Sequence, residues 1–274
     1  MIWTVISWVF FETQEMNVVL KENILAPWSE TPILCFLHLP RTGGTTINRM
    51  LKYAFGHRAL FHADLVAKYG GEGGLAAALA QGARIDHGAA LITGHYGVAH
   101  PLVLHMPRPV AFAAVLRHPV ERIVSLYDYI RGRPDHPEHA ALSTLTLHQA
   151  LDAVPEFAAH CRNAQLRTLF NATDRAGIIA ALQCHPYLLA RMEALEVFAD
   201  RLLALFGRRL GGRLPRCNER PVLAGVAPAG SQPDYAAALA RIAADNRAEL
   251  AVFNRLPPIF SSFPKPALAE TRAA

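Results

Sequence analysis

The sequence predicts an α/β fold built on a parallel sheet, and three apolar runs predict it: Ile33 to Leu39, Ala89 to Thr93 and Pro109 to Leu116. Each run is continuous rather than alternating, as expected of strands buried on both faces. Each ends in a short polar turn, and the first and third turns lead into a helical pattern. Strand, helix and strand in succession is the order of a parallel sheet with helical crossovers.

Taken in order, the first run ends at Pro40, which has no N–H to give to a ladder. Gly43 and Gly44 lack a Cβ, so the turn can fold tightly and bring its N–H groups close to an oxyanion. The chain then enters a helix whose first amides lack partners and whose dipole favours negative charge. Phosphate or sulfate is the expected guest, with plain packing as the alternative use of a Gly-Gly turn. A Walker A loop is excluded: Arg41 precedes the glycine pair, and Thr45 and Thr46 follow it with no lysine between.

Ile47, Met50, Leu51 and Ala54 recur at helical spacing, and Gly56 supplies a stop. A short strand is expected at Ala59 to Phe61, a flexible connection at Gly70 to Gly74 and a short helix at Leu75 to Ala80. The second apolar run closes on Gly94-His95-Tyr96-Gly97 and the third on Arg117-His118-Pro119. In a parallel sheet these ends lie on one edge, where open α/β sheets bind ligands, so Arg41, His95 and Arg117 should converge there.

Pro119 suits the first position of a helix. Along it Val120, Ile123, Val124, Tyr127 and Ile130 form an apolar stripe, with Glu121, Arg122, Ser125 and Asp128 on the other side. Ser125 lies roughly 9 Å beyond Pro119 along the helix. Either Arg117 and Ser125 grip one anion, or Arg117 pairs with a carboxylate while Ser125 faces water. Arg131 to Ala140 reads as a loop, and His136 and His139 within it have no clear third ligand for a metal. Helices are expected at Leu147 to Phe157, Arg162 to Phe170, Ala176 to Leu182, Leu188 to Phe206 and Tyr235 to Phe253, with loops at Arg213 to Pro221 and Ala224 to Pro233.

A length of 274 residues allows one large α/β domain or two small ones, and no composition shift marks a boundary. The net charge of +5 favours an anionic ligand and falls far short of the polybasic arm of a nucleic-acid binder. Cys35, Cys161, Cys184 and Cys217 form no C-x-x-C pair, which fits a reducing cytoplasm and argues against a zinc site or a disulfide framework. Met1 to Phe11 is apolar but shorter than the ~20 residues of a spanning helix, and no basic region precedes it. It reads as a docking segment or a misplaced start codon, with a weak peripheral membrane anchor as the lesser option.

Leu39-Pro-Arg-Thr-Gly-Gly-Thr-Thr46 resembles the loop that holds the 5′-phosphosulfate in sulfotransferases dependent on 3′-phosphoadenosine 5′-phosphosulfate (PAPS). Leu116-Arg-His-Pro-Val-Glu-Arg-Ile-Val-Ser125 resembles their 3′-phosphate motif. The pair points to sulfotransferase family 2, which includes the heparan sulfate uronosyl 2-O-sulfotransferases and many bacterial relatives. Gly94-His95-Tyr96, Ser125-Leu-Tyr-Asp-Tyr-Ile-Arg131 and Asn163-Ala-Gln-Leu-Arg167 resemble further family stretches, and weaker similarity continues through Asn218 and Ile242 to Leu256. The resemblance spans roughly residues 32 to 256, which are read as one domain between an N-terminal extension, 1–31, and a C-terminal tail, 257–274.

The resemblance implies a three-layer, P-loop-like fold and transfer of a sulfuryl group from PAPS to a hydroxyl, usually of a carbohydrate. It implies that Arg41, Thr42, Gly43, Gly44, Thr45 and Thr46 cradle the 5′-phosphosulfate and that Arg117 and Ser125 bind the 3′-phosphate. His95 matches the general base, Arg41 adds charge stabilisation, and no metal is required. A neutral histidine suits proton removal near neutral pH, and in-line sulfuryl transfer, like phosphoryl transfer, depends mainly on positioning and charge. Two departures stand out. Many relatives carry Lys at the position of Arg41, and Arg cannot donate a proton at ordinary pH. His118 replaces the acidic residue of the usual Arg-Asp-Pro. The alternatives are a structural role for His95, a P-loop kinase using ATP, and a non-catalytic nucleotide- or glycan-binding module.

Overall fold

Ile33–Leu37 (β1) is buried along its whole length, and both of its faces are covered. Ile33, Cys35 and Leu37 enter one core cluster, while Leu34 and Phe36 enter another. The computed structural model of the chain describes residues 32–85, 88–214 and 228–263. The expectations for residues 1–31, Cys217, Asn218, most of the two late loops and the end of the tail fall outside these residues.

From β1 the chain passes through Gly44–Phe55 (α1), Ala59–Phe61 (β2), His62–Lys68 (α2), Glu72–Ala80 (α3), Leu91–Gly94 (β3), Pro101–Leu104 (α4), Val110–Leu116 (β4) and Pro119–Arg131 (α5). It continues through His139–Leu142 (α6), Leu147–Ala153 (α7), Pro155–Cys161 (α8), Ala164–Phe170 (α9), Arg175–Cys184 (α10) and Tyr187–Arg191 (β5). Leu195–Ala204 (α11), Tyr235–Asp245 (α12), Arg247–Arg255 (α13) and Ile259–Ser261 (β6) complete it. The strands form a six-stranded sheet in the order β2-β3-β1-β4-β5-β6, parallel except for the β5–β6 pair. The expected α/β class holds.

Helices cover both faces of the sheet. Leu65, Leu75, Leu166, Ile178 and Val252 from five helices meet Phe112, Ala114 and Leu116 on one side. Ile47 and Leu51 of α1 and Phe198 and Leu202 of α11 meet Ala111, Ala113 and Val115 on the other. Alanine on that side of β4 leaves room for the Phe198 ring, and burying such a ring contributes about 1.5–3 kcal/mol. A third cluster joins Ile123, Tyr127 and Ile130 of α5 to Leu147, Phe157 and Ile242 outside the sheet.

Several expectations are corrected. Leu188 to Phe206 is not one helix: Tyr187–Arg191 is a strand, Met192–Ala194 a 3-10 turn, and only Leu195–Ala204 is helical. Leu and Ala favour a helix locally, but pairing with β4 and β6 places Tyr187 to Arg191 in the sheet, and tertiary context overrides propensity. Ile259–Ser261 belongs to that sheet although it lies within the stretch read as a tail. The expected helix from Tyr235 to Phe253 breaks at Asn246, whose backbone is non-helical. Its carboxamide accepts the Asn163 N–H and donates to Cys161 O and Ile242 O. Leu147 to Phe157 breaks before Pro155, and the loop from Arg131 contains the short α6. Arg122 is 2% exposed rather than facing solvent. The layer packed outside α5 encloses it, and its Nη2 donates to His160 O at 2.7 Å.

The connection from β1 leads to one side of the sheet and that from β4 to the other. The crevice between the carboxyl ends of β1 and β4 is therefore a topological switch point, the usual ligand position in open α/β sheets. Among the described residues, no helix is long and apolar enough to cross a membrane.

Candidate functional site

The loop after β1 is held by its own turn. Thr42 is buried and its Oγ1 donates to Leu39 O at 2.9 Å, so its hydroxyl faces inward. Arg41 has φ 67° and Gly43 φ 86°, a left-handed conformation that disfavours a side chain such as that of Arg41. Gly44 opens α1, and a Cβ there would lie 1.9 Å from His38 Cδ2. Only glycine fits against that ring. The helix begins with Thr46 N–H donating to Gly43 O at 3.1 Å.

Three of the expected residues meet across the β1–β4 crevice. Arg41 Nε donates to Ser125 Oγ at 3.1 Å, and its guanidinium carbon lies 4.5 Å from the centre of the Tyr129 ring. Arg117 Nη1 donates to Arg41 O at 3.4 Å, while its Nε lies 3.5 Å from the exposed carboxylate of Glu121. Arg117 thus has a carboxylate neighbour, but Ser125 faces Arg41 rather than only water. Burial pushes the Arg41 pKa down, Tyr129 opposes this, and Arg117 adds to it. An arginine stays charged regardless, so two guanidinium groups share this crevice.

The main chain of Arg117 is clamped from behind. Its N–H donates to Gln165 Oε1 at 3.0 Å, and its carbonyl accepts from Gln165 Nε2 at 2.9 Å. Gln165 is itself fixed by Glu249, which accepts from Gln165 Nε2 at 2.6 Å and from Gln165 N–H at 2.9 Å. Asn163 Oδ1 accepts the Glu249 N–H at 3.0 Å, and Asn163 N–H donates to Asn246 Oδ1 at 2.7 Å.

His95 belongs to a second group on the β3 side. His38 N–H donates to Gly94 O at 2.8 Å, extending the β1–β3 pairing beyond the strands. His38 and His95 therefore stand side by side, their rings stacked with centroids 4.1 Å apart and planes at 29°. Thr93 Oγ1 donates to Asn48 Oδ1 at 2.5 Å, and Asn48 Nδ2 lies 3.1 Å from His38 Nδ1. His95 is exposed on its free side. Burial of the rest of the ring lowers its pKa, a hydrogen bond with the His38 main chain opposes this, and His62 and His160 add to the lowering.

His38, Tyr129, Gln165 and Glu249 were not legible as site residues. His38 reads as part of an apolar run until the strand register sets it against His95. Thr45 lies exposed and Thr46 buried at the start of α1. Beyond His95, the ligand atoms of His62, Glu72 and His100 lie within 4.8 Å of one another. His100 Nδ1 accepts the Leu102 N–H at 3.0 Å and its Nε2 lies 3.2 Å from Glu72 Oε2. With Nδ1 an acceptor, the ring proton sits on Nε2, and that nitrogen offers no lone pair to a cation. A scan of protein-family models found no match to the chain, and a search of curated proteins found none either.

Proposed function

We propose that the chain is a sulfotransferase that moves a sulfuryl group from PAPS to a hydroxyl of a carbohydrate or glycoconjugate. The observation that carries this reading is the meeting of Arg41, Ser125 and Arg117 at the β1–β4 switch point. Two guanidinium groups, with the exposed Glu121 carboxylate beside Arg117 and only a weaker pull from Asp128 on Arg41, suit an anionic ligand. The Gly43–Gly44 turn supports it further, because Gly43 takes the left-handed conformation of a tight strand-to-helix turn, the kind of turn whose amides take anions. The strand order, with this loop after the central β1, favours a P-loop-like fold.

PAPS supplies the activated sulfuryl group. The loop from Arg41 to Thr46 holds its 5′-phosphosulfate, with the amides up to Thr45 facing it, since the Thr46 N–H is given to Gly43 O; Thr42 acts through its main chain, since its hydroxyl is turned to Leu39 O. Arg117 and Ser125 take the 3′-phosphate, and Arg41 links the two anion positions. As the acceptor oxygen bonds to sulfur, the bond from sulfur to the 5′-phosphate oxygen breaks and its electron pair stays on that oxygen. Arg41 lowers the barrier where this charge grows. His95 takes the acceptor's proton. The free thiols of Cys35, Cys161 and Cys184 support a cytoplasmic location.

Calorimetric titration with 3′-phosphoadenosine 5′-phosphate tests the donor class. Micromolar binding, about −8 kcal/mol, is expected, with ADP much weaker and Arg117→Ala without binding. Equal binding of the two nucleotides, or none, overturns the reading, and magnesium-dependent ATP binding would move it to a kinase.

A further inference from the structure

We propose that His38 is a positioning residue, held as a single neutral tautomer by Asn48 and Thr93, which reserves the acceptor's proton for His95. The inference rests on the reading of His95 as the base.

The order of the chain Thr93–Asn48–His38 follows from its distances. Thr93 is fully buried, and its Oγ1 lies 2.5 Å from Asn48 Oδ1. That separation suits O–H···O, whereas N–H···O bonds run about 2.7–3.2 Å. The amide oxygen of Asn48 therefore faces Thr93, and the amide nitrogen faces His38 Nδ1 at 3.1 Å. An amide NH2 only donates, so Nδ1 accepts and the proton of His38 sits on Nε2. Adding a proton to Nδ1 would set two donors against each other.

The consequence reaches His95 through the stack. Two imidazolium rings with centroids 4.1 Å apart would repel, and a neutral His38 leaves the charge to His95 alone. His95 is the titratable group facing His38, and His38, His62 and His160 are those facing His95. Burial, followed by His95, pushes the His38 pKa down to about 3, in keeping with the geometry. Gly44 completes the arrangement, because any larger residue would displace the His38 ring.

Histidine side-chain 15N NMR of the full chain tests this without any activity. His38 should show a protonated Nε2, a bare Nδ1 and no titration between about pH 5 and 8, while His95 titrates below the ordinary histidine value. In Asn48→Asp the acceptor facing Nδ1 should draw a proton there, so that His38 titrates in that range. The acid limb of kcat/KM should then change, with affinity for 3′-phosphoadenosine 5′-phosphate retained. Wild-type His38 that titrates, or that carries its proton on Nδ1, overturns the proposal whether or not the variant folds. An unaltered His38 in a folded Asn48→Asp protein overturns it as well. Loss of the sulfotransferase reading would appear separately, as absent nucleotide binding with the NMR result intact.

Discussion

On the β4 side of the crevice, Arg41 and Arg117 carry charge and are held through main chain and a buried carboxylate. On the β3 side, His38 and His95 are held through ring stacking and an oriented amide, with no formal charge between Thr93, Asn48 and His38. The first arrangement fixes where a cation sits and leaves its guanidinium partly open, which suits gripping an anion. The second fixes which nitrogen bears a proton, which suits proton transfer. Gly44 borders both, since it opens the anion loop and makes room for His38.

The largest way to break this comparison is Glu249→Ala. Glu249 is 0% exposed and anchors Gln165 by two hydrogen bonds, with buried Arg122 close enough to feel its charge. Removing the carboxylate leaves two buried Gln165 donors unpaired, at about 1–3 kcal/mol each. Denaturant unfolding should show that loss, and any folded protein should bind nucleotide poorly while the His38 tautomer survives. Gly44→Ala comes next. Its Cβ would overlap His38 Cδ2, and overpacking of this kind costs about 1–3 kcal/mol. It should damage both sides together, weakening nucleotide binding and freeing the His38 ring from Asn48, as titration and NMR would show.

The legible and illegible parts of the molecule divide along the range of the contacts involved. β1, β3 and β4 were readable because each is an apolar run bounded by its own turn, and Arg41, Arg117 and His95 were readable because they sit on those turns. β5 was read as helix because its place is set by β4 and by β6 more than sixty residues later. The clamp on Arg117 was hidden for the same reason: Gln165 and Glu249 are 84 residues apart. Arg122 was misplaced because an outer helical layer covers the face that the local pattern assigns to solvent.

Smaller perturbations sharpen the comparison. Ser125→Ala removes the acceptor of the Arg41 Nε–H and one ligand proposed for the 3′-phosphate. Nucleotide affinity should fall about tenfold, or 1.4 kcal/mol, with little change in the pH profile. Changing pH instead of sequence probes the histidine side alone. The His38 pKa lies at about 3 in the folded chain, against 6.5 as the ordinary value. Between these values the unfolded chain binds more protons, so stability is lost as pH falls from 6.5 toward 3. The lowered His95 pKa keeps the base neutral below its ordinary range, so the acid limb of kcat/KM should lie below that of a free histidine. Asn48→Asp should remove much of the stability difference while leaving the anion side intact.

Transfer from PAPS carrying radiolabelled sulfur to a pool of carbohydrate acceptors, by wild type and His95→Ala, tests the central claim most directly. Labelled acceptor with wild type, lost with His95→Ala although 3′-phosphoadenosine 5′-phosphate still binds, is the expected result. Binding with no label transferred to any acceptor, or transfer unaffected by His95→Ala, would contradict it.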